Sequence, residues 1–266
     1  MSTFLQSAQN PKIKNLKKLE KSSERKEQGV FLIEGLRELC LAVRAGYELQ
    51  ELFVCEELVQ QSEEYNLSEV SENTPIINIS KEVYAAVAYR ESTEGILATA
   101  KPKTHLLAEL KLKEKPLLLV IEAVEKPGNL GAMLRSCDAA AVDAVIVCDG
   151  RTDVYNPNVV RSSIGTVFTN QIAMASIQEV IGFLKENKIK TFAAELTATK
   201  YYYEQNMKTA TAIVVGAEAT GLSKEWIHAA EEHIKIPMLG TIDSLNVSVS
   251  AAVLLFEAVR QRRVNS

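Results

Sequence analysis

Apolar positions along the chain come in two textures, short unbroken runs and longer stretches with apolar residues three or four apart, which are the signatures of strands and amphipathic helices. In the first hundred residues Val30-Phe31-Leu32-Ile33 reads as a strand, Gly35 to Ala45 as a helix and Glu51-Leu52-Phe53-Val54 as a second strand. A polar, acidic stretch from Gln60 to Asn73 follows. Next come Pro75-Ile76-Ile77-Asn78-Ile79 and a helix opening at Ser80, whose hydroxyl suits an N-cap. Gly95-Ile96-Leu97-Ala98-Thr99-Ala100 supplies the last strand of this small α/β unit. Between Lys101 and Pro116 the sequence turns lysine-rich and contains two prolines, as expected of a connection between domains. The predicted division is a first domain over residues 1–106 and a second over 107–266.

The second half opens with Leu117-Leu118-Leu119-Val120-Ile121, a run suited to a strand buried on both faces of a parallel sheet. A glycine-bearing turn leads into a helix predicted from about Leu130 to Ala141, then a strand Ala144-Val145-Ile146-Val147-Cys148. A helix from Ile177 to Glu186, strands at Thr191-Phe192-Ala193-Ala194 and Thr211-Ala212-Ile213-Val214-Val215, and an amphipathic helix from Asn246 to Arg260 complete the pattern. The predicted fold class is α/β, a mostly parallel sheet with helices on both faces, and such sheets bind ligands in the loops at their strand ends.

Composition narrows the class. The chain is 47% hydrophobic and 24% charged, and no apolar run approaches the roughly 20 residues that a bilayer requires, so no membrane span is expected. The start, Met1-Ser2-Thr3-Phe4-Leu5-Gln6, lacks the apolar core of a signal peptide, which makes the cytoplasm the expected location. Cys40, Cys55, Cys137 and Cys148 share no C-x-x-C spacing and read as reduced core thiols. His228 and His233 are five apart, off the spacing that aligns two ligands on one helical face, so no metal is expected. The formal net charge of −4 argues against a protein that coats nucleic acid, but charge is unevenly distributed. From Pro11 to Gln28, Lys12, Lys14, Lys17, Lys18, Lys21, Arg25 and Lys26 face only Glu20, Glu24 and Glu27. That segment is either a phosphate contact or a solvated amphipathic helix with Ile13, Leu16 and Leu19 on its inner side.

Three loops carry the polar residues of interest. Glu125-Lys126-Pro127-Gly128-Asn129-Leu130-Gly131 precedes the helix that bears Arg135 and has neither Walker nor three-glycine dinucleotide spacing. Gly216-Ala217-Glu218-Ala219-Thr220-Gly221-Leu222-Ser223 follows a five-residue apolar strand. Its glycines permit close backbone approach or positive φ, Ser223 can cap the next helix, and Glu218 is placed to pair with a cation such as Arg135. The third loop runs from Ile236-Pro237-Met238 through Ser244-Leu245-Asn246-Val247-Ser248-Val249, where Ser244 or Asn246 can cap a helix.

Together these loops resemble, in order and spacing, the three motifs of the SpoU (TrmH-like) family of RNA ribose methyltransferases. The first is carried by Pro127, Asn129, Gly131 and Arg135, the second by Gly216 to Ser223, the third by Ile236 to Val249. Gln9-Asn10-Pro11, Phe31-Leu32-Ile33-Glu34-Gly35 and Glu94-Gly95-Ile96-Leu97-Ala98 are similar to the family's amino-terminal substrate-binding domain. Ala141 and Ala219 stand where the family usually has glycine.

The resemblance implies a carboxy-terminal parallel-sheet methyltransferase domain with a trefoil knot, preceded by a small α/β RNA-binding domain. It implies S-adenosylmethionine as cofactor, held by Leu196, Gly216, Ile236, Met238 and Leu245, a homodimer, and an RNA substrate, ribosomal in preference to transfer RNA. The implied catalytic set is Asn129, Arg135, Glu218, Ser244 and Asn246. Family schemes route the 2′-hydroxyl proton through the arginine. A guanidinium gives up its own proton too reluctantly to act as a free base, so an electrostatic grip on phosphate and developing alkoxide is the more conservative role. A non-catalytic RNA-binding assembly factor would keep the basic segment but would have no need of Asn129, Arg135, Glu218 and Asn246 together.

Overall fold

The strands of the computed structural model, which describes residues 3–59, 65–72, 74–89 and 94–263, fall into two sheets, one in each of two units. The first unit comprises Met1–Thr104 and Asp153–Thr169, the second His105–Thr152 and Asn170–Ser266. The contiguous 106/107 division expected from sequence therefore lacks one feature, the Asp153–Thr169 segment that leaves the second half to join the first unit.

In the first unit β1 (Thr3–Leu5), β2 (Phe31–Glu34), β3 (Leu49–Val54), β4 (Ile76–Ile79) and β5 (Ile96–Ala100) form a sheet in the order β1-β4-β3-β5-β2. The first three strands in that order run parallel, and β5 is antiparallel to both its neighbours. Ser80 caps the helix Lys81–Val87 by accepting from the Val83 amide at 3.3 Å. Of the acidic stretch between Gln60 and Asn73, residues 65–72 are described and contain the short helix Leu67–Ser71; the rest lies outside the described residues. The helix Pro11–Lys18 puts Ile13 and Leu16, with Leu19 beyond its end, into the core beside Phe53, Ile79 and Leu97, and leaves Lys14, Lys17 and Lys18 exposed.

Arg25, on the next helix Ser22–Gln28, is not part of that exposed basic face. Its side chain is buried, with Nε and Nη2 donating to Asp153 Oδ2 at 2.9 and 2.7 Å and Nη1 donating to the Leu19 and Glu20 carbonyls at 2.7 and 2.8 Å. These bonds satisfy a guanidinium that would otherwise be costly to bury, and they withdraw Arg25 from the candidate phosphate contacts. Around the same segment Tyr155 stacks on Phe31 with ring centroids 4.2 Å apart, and Phe168 meets Tyr47 edge-on at 5.1 Å.

In the second unit β6 (Leu117–Glu122), β7 (Ala144–Cys148), β8 (Ile172–Ala175), β9 (Lys190–Ala194), β10 (Lys200–Tyr201), β11 (Thr211–Val215) and β12 (Glu232–Lys235) form one sheet in the order β10-β12-β9-β11-β6-β7-β8. Every pairing is parallel. All residues of β6, β7 and β11 are buried, the condition for unbroken apolar runs. From β6 the chain builds outward through β7 and β8, then crosses to the other side of β6, so the order reverses beside β6 and opens a crevice at its carboxyl end. The four cysteines are free and buried. Burial pushes the Cys148 thiol up to about 12 and that of Cys40 up to about 11, keeping them protonated and poorly nucleophilic. Among the described residues no helix is long and apolar enough to cross a membrane.

Candidate active site

The three polar loops of the sequence converge on the carboxyl ends of β6 and β11. The first is not a loop in its important part. Pro127 is the first residue of the helix Pro127–Ala139, which starts three residues earlier than the sequence expectation because proline's fixed φ suits the first turn, where no amide donor is needed. Asn129 is thereby set rigidly in that first turn.

Gly216 begins the second loop, directly after β11. A Cβ there would collide with the Gly221 backbone and come within 2.6 Å of the Leu222 amide nitrogen, so the fold of this loop back on itself excludes any side chain. Gly221 takes φ +67° and donates its amide to the Ala217 carbonyl at 2.9 Å. Ser223 caps the helix Lys224–Ala229, while its own amide donates at 2.9 Å to Glu122, a buried carboxylate at the end of β6. Glu122 was missed in the sequence, although a carboxylate closing a five-residue apolar run is a visible signal.

Asn129 joins the loops. Its Nδ2 donates to Glu218 Oε1, and its Oδ1 accepts from Asn246 Nδ2 at 3.1 Å. Asn246 Oδ1 in turn accepts from the Ser248 amide at 2.9 Å and the Ser248 hydroxyl at 2.6 Å, capping the helix Val247–Arg263. Each amide is thus oriented by a partner that can only accept or only donate. Ser244, in the same third loop, donates to Asp243 at 2.9 Å.

Beneath this chain lies a cavity of about 580 Å³, within the range of small-molecule sites. Leu196, Gly216, Ile236, Met238 and Leu245, the five residues assigned to the cofactor, all line it, as do Glu218, Ser244 and Asn246. Its walls also include Val215, Ile227 and Leu254, and its polar rim Glu195 and Thr197, which lie on either side of Leu196 and were not anticipated. Apolar walls suit a purine, and carboxylates on the rim suit a ligand carrying positive charge, so the lining fits an adenosyl sulfonium cofactor.

Arg135 stands apart. It is six residues beyond Asn129, about 9 Å along the helix and about 120° around it. Its side chain is exposed, does not line the cavity, and makes no hydrogen bond or ion pair among the described residues. The expected pairing of Glu218 with Arg135 is corrected accordingly: Asn129, six residues closer to the loop, takes the carboxylate and leaves the guanidinium free. No cluster of residues capable of holding a metal occurs among the described residues.

A parallel sheet with a nucleotide-sized cavity over its strand ends and a hydrogen-bonded polar rim defines an α/β enzyme of the cofactor-binding kind. Residues 116–256 match the SpoU rRNA methylase family and residues 10–98 the MRM3-like substrate-binding domain. The chain belongs to the SpoU rRNA methylase family. It is 30% identical over 252 residues to the 23S rRNA (guanosine(2553)-2′-O)-methyltransferase RlmP of Bacillus subtilis, covering 95% of this chain and 97% of that relative. A solved RNA 2′-O ribose methyltransferase superposes with a TM-score of 0.86 at 40% identity, over 98% of this chain and 99% of the other. The SpoU methyltransferase AviRb from Streptomyces viridochromogenes, solved with AdoMet, gives 0.87 at 25% identity over 96% and 98%.

Proposed function

We propose that this chain transfers a methyl group from S-adenosylmethionine to a ribose 2′-hydroxyl of ribosomal RNA. The observation that carries this reading is the Glu218–Asn129–Asn246 chain at the rim of the cavity, in a family whose named members include ribose 2′-O-methyltransferases. The cofactor, when bound, supplies an electrophilic methyl on a sulfonium. The protein's part is to orient the two reactants and manage charge. Leu196, Gly216, Ile236, Met238 and Leu245 enclose the adenosine, and Glu218, Asn129, Ser244 and Asn246 fix the hydrogen bonds around the transferring group. Arg135, free of protein partners, grips the phosphate beside the target ribose and stabilises the negative charge that develops on the 2′-oxygen as its proton passes to water.

Residues 1–106 act as the RNA-binding domain, with Lys14, Lys17 and Lys18 exposed toward phosphate, and residues 107–266 as the methyltransferase domain. Family membership supports a trefoil knot in the carboxy-terminal chain and action in the cytoplasm, without a metal. A homodimer is supported by the final helix, where Phe256 is 47% exposed, and by the third loop, where Leu239 is 95% exposed. Light scattering should return twice the 29.3 kDa chain mass.

The decisive experiment is single-turnover transfer of labelled methyl to purified ribosomal and transfer RNA, followed by ribonuclease digestion. Label in nuclease-resistant dinucleotides of 23S rRNA is the expected result, because the RlmP relative is named for a guanosine ribose there. Label on bases, or RNA binding without transfer, overturns the reading in favour of another methyltransferase or an assembly factor.

A further inference from the structure

Two of the hydrogen bonds that fasten the helix Pro127–Ala139 and its approach come from outside the three polar loops, and the fastening residues are the last and first of the two chain segments that build the second unit. Thr152 is buried, with its hydroxyl facing the carbonyl oxygens of Glu125 at 2.7 Å and Val124 at 3.0 Å. A hydroxyl has one proton, so the nearer carbonyl is the principal acceptor. Both carbonyls lie just ahead of Pro127. The same approach is strapped further by the Ala123 amide donating to the Cys148 carbonyl at 3.1 Å and by the Arg151–Glu125 ion pair. At the other end, Asn170 Nδ2 donates at 3.0 Å to the Leu134 carbonyl, on the residue before Arg135.

These two bonds lie on either side of Asn129, and the second falls on the peptide that joins Leu134 to Arg135. Neither Thr152 nor Asn170 lines the cavity, and neither belongs to the three polar loops. An exposed arginine with no partner of its own takes its position from its helix, which packs on the helix Val247–Arg263 through its buried face and is further fixed by these anchors.

We propose that Thr152 and Asn170 are positioning residues for methyl transfer, which set the helix so that Arg135 and Asn129 meet the reacting ribose. This rests on the methyltransferase reading above. Thr152→Val keeps shape and removes the donor. Asn170→Asp keeps shape, removes the N–H and turns a carboxylate toward the Leu134 carbonyl.

The test is single-turnover methyl transfer by the full chain at saturating cofactor and RNA, with cofactor affinity measured by calorimetry and folding by thermal melting. Each variant should lose roughly tenfold or more in rate, since displacements of about 1 Å far from the chemistry can cost up to about a hundredfold. Cofactor affinity and the KM for RNA should stay near wild type, and Thr152→Ser, which restores the donor, should restore the rate. In an Arg135→Ala background Thr152→Val should cost clearly less than in the wild type, because one of the two groups being positioned is gone. Wild-type rates in folded Thr152→Val and Asn170→Asp overturn the inference, as does an equal loss in the Arg135→Ala background, or a Thr152→Ser variant as slow as Thr152→Val. An inactive wild-type chain instead overturns the methyltransferase reading itself.

Discussion

Asn246 donates its side-chain amide to Asn129 Oδ1 at 3.1 Å across 117 residues of sequence, and the Asn129 side chain passes the pattern on by donating to Glu218. One amide therefore registers a helix start, a strand-end loop and a helix cap against each other. Asn129→Ala removes both bonds at once. We expect single-turnover transfer to fall by about a hundredfold, the scale for removing one preorganised polar group. Stability should change by only about 1 kcal/mol, because the site is partly open to water. Rapid-quench assays beside thermal melts separate the two effects.

Arg135→Ala should lower the single-turnover rate by roughly a hundredfold or more, and calorimetry should find cofactor affinity unchanged, because the side chain lies outside the cavity. Arg135→Lys keeps the charge without the planar fork and should recover only part of the rate if phosphate is gripped by two prongs. Near wild-type rates for the alanine variant at saturating RNA would remove Arg135 from the catalytic set.

Much of the second sheet was legible because β6, β7 and β11 are buried on both faces and so read as unbroken apolar runs. Helix ends with side-chain caps, at Ser80 and Ser223, were legible for the same local reason. What escaped is what tertiary contact decides. In β12 only Ile234 is buried, leaving no alternation to detect, and the helices in Asp153–Thr169 are too short to show a period. Arg25 looks like its neighbouring lysines until Asp153 arrives from more than a hundred residues away. The convergence of Asn129, Glu218 and Asn246 was legible only through resemblance to a family, since nothing in their spacing specifies contact.

Arg25 and its exposed lysine neighbours should separate cleanly in experiment. Arg25→Ala leaves Asp153 without its buried partner and should cost about 3–5 kcal/mol in chemical denaturation. Replacing Lys14, Lys17 and Lys18 together by alanine should leave stability nearly unchanged. It should weaken RNA binding and reduce the slope of log affinity against log salt by close to one unit for each phosphate that is no longer neutralised. An unaltered slope would show that the exposed face of the helix Pro11–Lys18 is solvated surface and not an RNA contact.

The end of the helix Pro127–Ala139 carries a backbone cost that substitution can recover. Ala141, where the family usually has glycine, follows the cap residue Ala140 with φ +51°, its amide donating to the Asp138 carbonyl at 3.0 Å. A Cβ in the left-handed region costs roughly 1–2 kcal/mol, whereas glycine adopts it freely. Glycine also loosens the unfolded chain, which offsets about 0.4–1 kcal/mol of that gain. The balance leaves Ala141→Gly between neutral and about 1.6 kcal/mol more stable. Ala219, the other departure from the family pattern, is not among the residues with positive φ, so Ala219→Gly lacks the first term and should be neutral or destabilising. Paired urea titrations of the two variants test the argument through their difference. Since neither alanine makes a side-chain hydrogen bond, a stabilised Ala219→Gly or a destabilised Ala141→Gly would mean that backbone strain does not govern these positions.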